Sequence, residues 1–502
     1  MRHSRLMSVL LAAGLLLAMW WGSLAVYDAH ATQDALRALQ AERAHETPFR
    51  WSFEAPGEAL FGHGLKNFEW SGGTVSGDLD DPYLYLDLRG RFIDARRFDR
   101  ARLRLFSPQA GFLHLFHRQV ASDGIHASGP IPVSAGWQTL DLDLPWLGWR
   151  EKPLFAPGSP DEPSSWGGAD GVVTALRIDP VEAGAFALDW LELSSSSAPP
   201  RLAEAVEPFA SLDDPLFERM RAEPDRTWLI ARKGLLRTPE TAHWTRRQVA
   251  AEFPSAIVFP RLPGQEALRQ PAPAAQALPP ALPTFAYLLG ALALLLAPLL
   301  PAPWRPLLEV AGLVALVQGW VWLYPLLDTV GALALAAPLA AALVWLRPQP
   351  LAPQVLGDRR AWLAVAPLLL LALLLLWLLP PAASPEGPQT VSVPRALGLY
   401  FPWALVQQYV VAVLIQGRLR PLFGPAAVVL SAGLFGFLHF PNFALMAATF
   451  ALGLVLLEVH RRFRNLPAIA AAQAFLSVSF NNLALGYFWL SREVGPAFLA
   501  AL

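Results

Sequence analysis

The spacing of hydrophobic positions changes three times along the chain. Leu6 to Val26 run without a charge, just after Arg2 and Arg5. An apolar run behind positive charge predicts either a membrane anchor or a cleaved leader. Ala29-His30-Ala31 has the small residues of a cleavage site, whereas the length of the run favours an anchor. We expect residues 1–26 to be an anchor, and either reading puts the chain after residue 26 outside the cytoplasm. Residues 27–48 predict a short, polar, alanine-rich helix.

From about Phe49 the period becomes two. Tyr83-Leu84-Tyr85-Leu86-Asp87-Leu88, Arg102-Leu103-Arg104-Leu105, Leu140-Asp141-Leu142-Asp143-Leu144 and Phe186-Ala187-Leu188-Asp189-Trp190 all alternate. Short alternating runs broken by Gly, Pro and Asp predict half-buried antiparallel strands, and several within residues 27–200 predict a β-sandwich. Residues 201–283 are mixed and charged. They carry one expected helix near Thr241–Phe253 and end in a Pro/Ala-rich linker at 263–283.

From Thr284 the pattern is that of a membrane domain. Apolar runs cover 284–300, 307–325, 329–346, 361–379, 396–416, 424–440, 443–459 and 467–490, each near the length of a bilayer crossing. The last twelve residues predict a short return segment. The fold class expected is therefore multi-domain: an antiparallel, jelly-roll-like β-sandwich outside the cytoplasm, and an all-α polytopic domain of about eight helices over 284–502. Arginine clusters at Arg418/Arg420 and Arg461–Arg464 read as cytoplasmic by the positive-inside rule. Arg305 falls on the other side if the run at 284–300 exits the cytoplasm, so the topology before residue 396 stays open.

Composition narrows the classes. Of 502 residues 54% are hydrophobic and only 16% charged, with a mean hydropathy of +0.36. A soluble chain carries about a quarter charged residues. The net charge of −1 lacks the basic footprint of a nucleic-acid binder. Zero cysteines exclude disulfides, thiolate metal sites and a cysteine nucleophile.

Polar side chains inside apolar runs are costly and so point to function. Gln407 and Gln408 stand together in one run, His439 ends the next, and Gln473 with Asn481 and Asn482 lies in the last. As ordinary helix ties, such amides contribute about 1 kcal/mol each. Their flanks carry more information. Leu405-Val-Gln-Gln-Tyr-Val-Val-Ala-Val-Leu-Ile-Gln-Gly-Arg-Leu419 resembles the Glu-Glu-x-x-x-Arg motif of the CPBP intramembrane proteases, the family of the CAAX prenyl endopeptidases. Leu430-Ser-Ala-Gly-Leu-Phe-Gly-Phe-Leu-His-Phe440 is similar to its Phe-x-x-x-His motif, with Phe435 and His439 in place. Asn465-Leu-Pro-Ala-Ile-Ala-Ala-Ala-Gln-Ala-Phe-Leu-Ser477 resembles its His-x-x-x-Asn segment. There Gln473 takes the histidine position and Ser477 the asparagine position. A shifted alignment puts Ser477 and Asn481 there instead. The resemblance covers about 395–490.

The resemblance implies a membrane protease in which a glutamate activates water with help from histidines. Here the matching positions are Gln407, Gln408, His439 and Gln473, with Ala412 at the arginine position and Phe435, Ser477 and Asn481 in support. An amide accepts no proton at neutral pH and is no general base. The family leaves the part of a divalent metal open; with a single histidine retained, well short of the three ligands of a catalytic zinc site, we expect no cofactor.

The expectation is a pseudoprotease in the bacterial cytoplasmic membrane that binds a membrane-embedded or lipidated protein segment. The alternative is an active endopeptidase with a rearranged site around His439. A transporter is disfavoured, because the hydropathy shows no inverted repeat. Trp51–Gly90, 171–180 and 188–193 resemble galactose-binding-like and carbohydrate-binding sandwiches. That resemblance implies a glycan or protein partner, with Trp146, Trp149 and Trp166 as candidate stacking residues.

Overall fold

The computed structural model describes residues 2–53, 59–65, 69–71, 74–77, 79–86, 88, 91–119, 125–152, 162–168, 171–181, 186–197, 201–234, 237–263, 268, 281–323, 329–347, 355–378, 393–484 and 494–495. The chain forms two compact units. One is built mainly from Asp28–Arg237 and Thr241–Ala275, the other from Met1–Tyr27 and Gln276–Leu499.

The first unit is a β domain. The alternating segments become strands, and their pattern decides which face is covered. In Arg100–Ser107 the arginines at 100, 102 and 104 are exposed while Ala101, Leu103 and Leu105 are buried. This strand sits between Gly136–Asp143 and Phe186–Ser194 in a six-stranded antiparallel sheet. A nine-stranded sheet is built around Gly111–Gln119 and Val172–Val181. Leu103, Leu105, Leu188 and Leu191 of the first sheet share one hydrophobic core with Leu113, Leu115, Leu176 and Ile178 of the second.

Two of the expected stacking residues belong to that core. Trp149 and Trp166 are buried, and each indole N–H donates to a backbone carbonyl, of Leu144 at 2.6 Å and of Phe98 at 2.7 Å. A buried ring with its polar tip satisfied is a packing residue, so the expectation that these two are open for stacking is corrected. Trp146 is 84% exposed.

Residues 201–260 also depart from expectation. Rather than a mixed region beyond a boundary at 200, they form a three-stranded parallel sheet, Arg201–Phe209, Arg226–Arg232 and Ile257–Phe259, in the same unit. With α1 as the long N-terminal helix Arg2–Arg43, helices α2 (Pro215–Ala222) and α3 (Pro239–Glu252) make the two crossovers. Asp214 starts α2 by accepting the Leu216 N–H, with proline in the first helical position. The central strand is buried from Thr227 to Ala231, as a strand covered on both faces must be. Phe209, Phe217, Trp228, Ile230 and Val249 pack one side. Ala35, Leu36 and Leu39 of α1 pack the other against Leu229, Ala231 and Phe259. Helix α1 is unbroken, so the anchor and the polar helix expected after it are one element. Its acidic residues are buried in ion pairs: Asp28 with Arg237 at 2.6 Å, Asp34 with Arg37 at 3.4 Å, and Glu42 with the two terminal nitrogens of Arg97 at 2.8 Å.

The second unit is helical. Beside the first part of α1, its described helices are α4 (Ala281–Leu296), α5 (Arg305–Leu323), α6 (Thr329–Trp345), α7 (Arg360–Leu378), α8 (Val393–Gln408), α9 (Gln416–Phe423), α10 (Ala426–Phe437), α11 (Phe443–Phe463) and α12 (Leu466–Ala484). A π-helical segment, Tyr409–Ile415, joins α8 to α9. Among the described residues four stretches are long and apolar enough to cross a membrane: Ser8–Arg43, Arg305–Leu323, Ala396–Phe423 and Phe443–Phe463. Most of the expected linker and nearly all of the expected C-terminal return segment lie outside the described residues.

Small residues set the closest approaches. A Cβ on Gly290 of α4 would stand 2.7 Å from the Gly312 carbonyl of α5, and one on Gly319 would stand 2.7 Å from Tyr287. These pairings run α4 and α5 antiparallel. Arg305 therefore stands at the end of the unit where α4 finishes, and Arg418 of α9 meets it there through Glu309. Arg305 and Arg418 thus share one end of the unit.

Candidate functional site

Helices α8 and α12 carry the glutamines of the motif-matching positions. Their apposition is made by alanines: Ala404, Ala470 and Ala474 are fully buried against one another. Side chains this small let two helices approach closely enough for short polar side chains to meet between them. Gln408 lies one turn beyond Ala404, and Gln473 one turn beyond Ile469 on the same helix.

The three glutamines form a chain. Gln408 Nε2 donates to Gln473 Oε1 at 2.7 Å, and Gln473 Nε2 donates to Gln407 Oε1 at 2.6 Å. Gln408 and Gln473 are buried, and Gln407 is half-buried. The Gln408 Oε1 atom is buried without a partner. That leaves one open acceptor at the end of a neutral amide chain. The geometry brings Gln473, and not Ser477, to the glutamine pair.

The chain backbone changes directly after Gln408. Tyr409–Ile415 is π-helical, and the Gln416 N–H reaches back five residues to Val411. Such segments insert an extra residue into a turn and re-aim the side chains beyond it. Ala412, at the family's arginine position, is buried inside this segment.

His439 is held elsewhere, at the end of α10. Its Nδ1–H donates to the Phe435 carbonyl at 2.9 Å, so in the neutral ring Nε2 is the acceptor nitrogen. Thr449 Oγ1 of α11 stands 3.4 Å from Nδ1. The Phe435 ring is buried and meets the imidazole edge-on at 5.3 Å. Among the described residues no hydrogen bond joins His439 to the glutamine chain. Ser477 is half-buried one turn past Gln473. Asn481 lies in α12, and its side chain is outside the described residues. No group of three or more potential metal ligands occurs among the described residues.

Three polar features of this unit were not singled out in the sequence. Thr449 supports His439. Gln416 donates to the Leu457 carbonyl at 3.0 Å and lies 3.4 Å from His460. Glu309 is buried between Arg305 and Arg418. The signal was present for Glu309, a carboxylate two residues into an apolar run, which is costly unless paired.

Residues 388–479 match the family model of the type II CAAX prenyl endopeptidase Rce1-like proteins. This segment, under a fifth of the chain, contains the glutamine pair, the Phe-x-x-x-His stretch and Gln473, so the resemblance to the CPBP family holds there. No curated protein matches the chain.

Proposed function

We propose that the protein is a multi-pass membrane pseudoprotease. It keeps the form of a CPBP-type site and uses it to hold a membrane-embedded or lipidated protein segment without cutting it. The observation that carries this reading is the amide chain Gln408–Gln473–Gln407. Glutamate in these places would be a base; the Gln408 and Gln473 amides instead donate to neighbouring amides, and none of the three glutamines takes up a proton. Loss of a general base alone costs about 10²–10⁴ in rate. His439 Nε2 remains an acceptor but makes no hydrogen bond to an acid–base group among the described residues, so it supports an active endopeptidase less well.

The apolar N-terminal run behind Arg2 and Arg5 supports residence in a bacterial cytoplasmic membrane, with the β domain on the outer side. There the domain would recruit a glycan or protein partner, with the exposed Trp146 as its contact.

A photo-crosslinking residue in place of Val406, exposed beside Gln407, tests the binding role. The expected product in cells is an adduct with an intact membrane protein, lost in Gln473→Leu. Adducts with lipid only, or with a truncated protein, would overturn the reading.

A further inference from the structure

Arg305, Arg347, Arg359, Arg360, Arg418, Arg420 and Arg461–Arg464 of the helical unit stand at one end of it. Arg418 donates to the Leu346 carbonyl at the finish of α6, at 2.6 Å, and pairs with Glu309 in the opening turns of α5. The Asp358 N–H, just before α7, donates to the Phe463 carbonyl at the finish of α11, at 2.7 Å. Asn465 donates to the Leu356 and Asp358 carbonyls. Gln416 ties α9 to the last turns of α11. The start of α5, the finish of α6, the start of α7, α9 and the finish of α11 are thus one face.

The carboxylates of this face are already engaged. Glu309 accepts from Arg305 and Arg418, and Glu458 from Arg461 and Arg462. Asp358 caps α7 through the Arg360 N–H. Arg347, Arg359, Arg360, Arg420 and Arg464 are exposed and make no salt bridge among the described residues. Beside them on the same helix ends stand exposed apolar and indole side chains: Trp345, Trp362, Leu363, Leu422 and Phe423. Exposed cations next to bare hydrocarbon and tryptophan complement a ligand that is anionic at one end and apolar at the other.

We infer that this arginine-rich end is a binding surface for anionic phospholipids. The guanidinium groups take the headgroup phosphates, and the neighbouring apolar side chains take the upper acyl segments. Arginine matches phosphate because its planar fork offers two parallel N–H groups. Headgroups lie where apolar helices end, and indoles favour the same depth. A free phosphate ion would explain the arginines but not the exposed hydrocarbon around them.

The test is lipid selectivity of the full-length protein in vesicles of phosphatidylcholine containing a third of phosphatidylglycerol. Spin-labelled analogues of the two lipids report the motionally restricted fraction. The expected result is a preference for phosphatidylglycerol of roughly twofold or more, reduced by salt. The Arg347→Gln, Arg359→Gln, Arg420→Gln and Arg464→Gln variant loses the preference, and the matching lysine variant, which keeps the charge, retains most of it. Equal restriction of both lipids by the wild type would overturn the inference, as would a preference unchanged in the glutamine variant. So would abolition of the preference by inorganic phosphate at an ionic strength where chloride leaves it intact, since the surface would then be a site for a soluble anion.

Discussion

At the scale of single residues, the glutamine chain is a stability device as well as a marker. Gln473→Leu leaves a donor on Gln408 and an acceptor on Gln407 unpartnered, which should cost about 1–2 kcal/mol. Gln408→Leu combined with Gln473→Leu should cost less than the sum of the two single changes, because both delete the same bond. Unfolding of the detergent-solubilised protein by a denaturing detergent reads both. In the β domain, burial pushes His117 down to about 3, with the stacked His126 ring adding to it. His243 is likewise lowered to about 3 by burial, then by Arg247 and Arg246. Both folded values lie below the unfolded value of about 6.5, so their neutral forms favour the fold. Stability is full above about 6.5 and falls as pH drops toward 3, by about 2 kcal/mol per histidine between pH 7 and 5. His117→Phe should flatten part of that slope in thermal melts across this range. The glutamines were legible in the sequence because amides in apolar runs are conspicuous. The burial of Trp149 and Trp166 was not, because neither stands in an alternating run that assigns its face.

At the scale of elements, what could be read came from period. The strands around Arg102-Leu103-Arg104-Leu105 announce themselves by alternation, and the membrane helices by length and apolarity. The parallel sheet of residues 201–260 escaped for the opposite reason. Its central strand is buried over five consecutive residues with no alternation, bracketed by arginines, and its partner Ile257–Phe259 is only three residues long. Covered strands of this kind carry no period-two signature. Asp214 was the available clue, an N-cap followed by proline. Asp214→Ala should cost about 1 kcal/mol through loss of the cap, measurable as a lowered thermal midpoint of the β domain in the full chain. The π-helical turn after Gln408 has no sequence signature in the spacing; tertiary packing on both sides fixes it.

At the scale of the whole molecule, charge predicts an orientation. With α4 antiparallel to α5, the arginine clusters around Arg305, Arg347, Arg418 and Arg461 fall at one end under simple alternation, and the positive-inside rule predicts that this end faces the cytoplasm. The chain has no cysteine, so single introduced thiols report cleanly. Thr139→Cys in the β domain should react with a membrane-impermeant maleimide in intact spheroplasts. Arg420→Cys should react only after permeabilisation; the reverse pattern would invert the topology. Whether such a molecule cuts or only holds its partner is decided by peptide ends. Membrane-protein N-termini can be compared by mass spectrometry in cells carrying the wild type, the His439→Ala variant, or neither. A pseudoprotease predicts the same termini in all three. A terminus that appears with the wild type and vanishes in His439→Ala would establish a working protease and contradict the account.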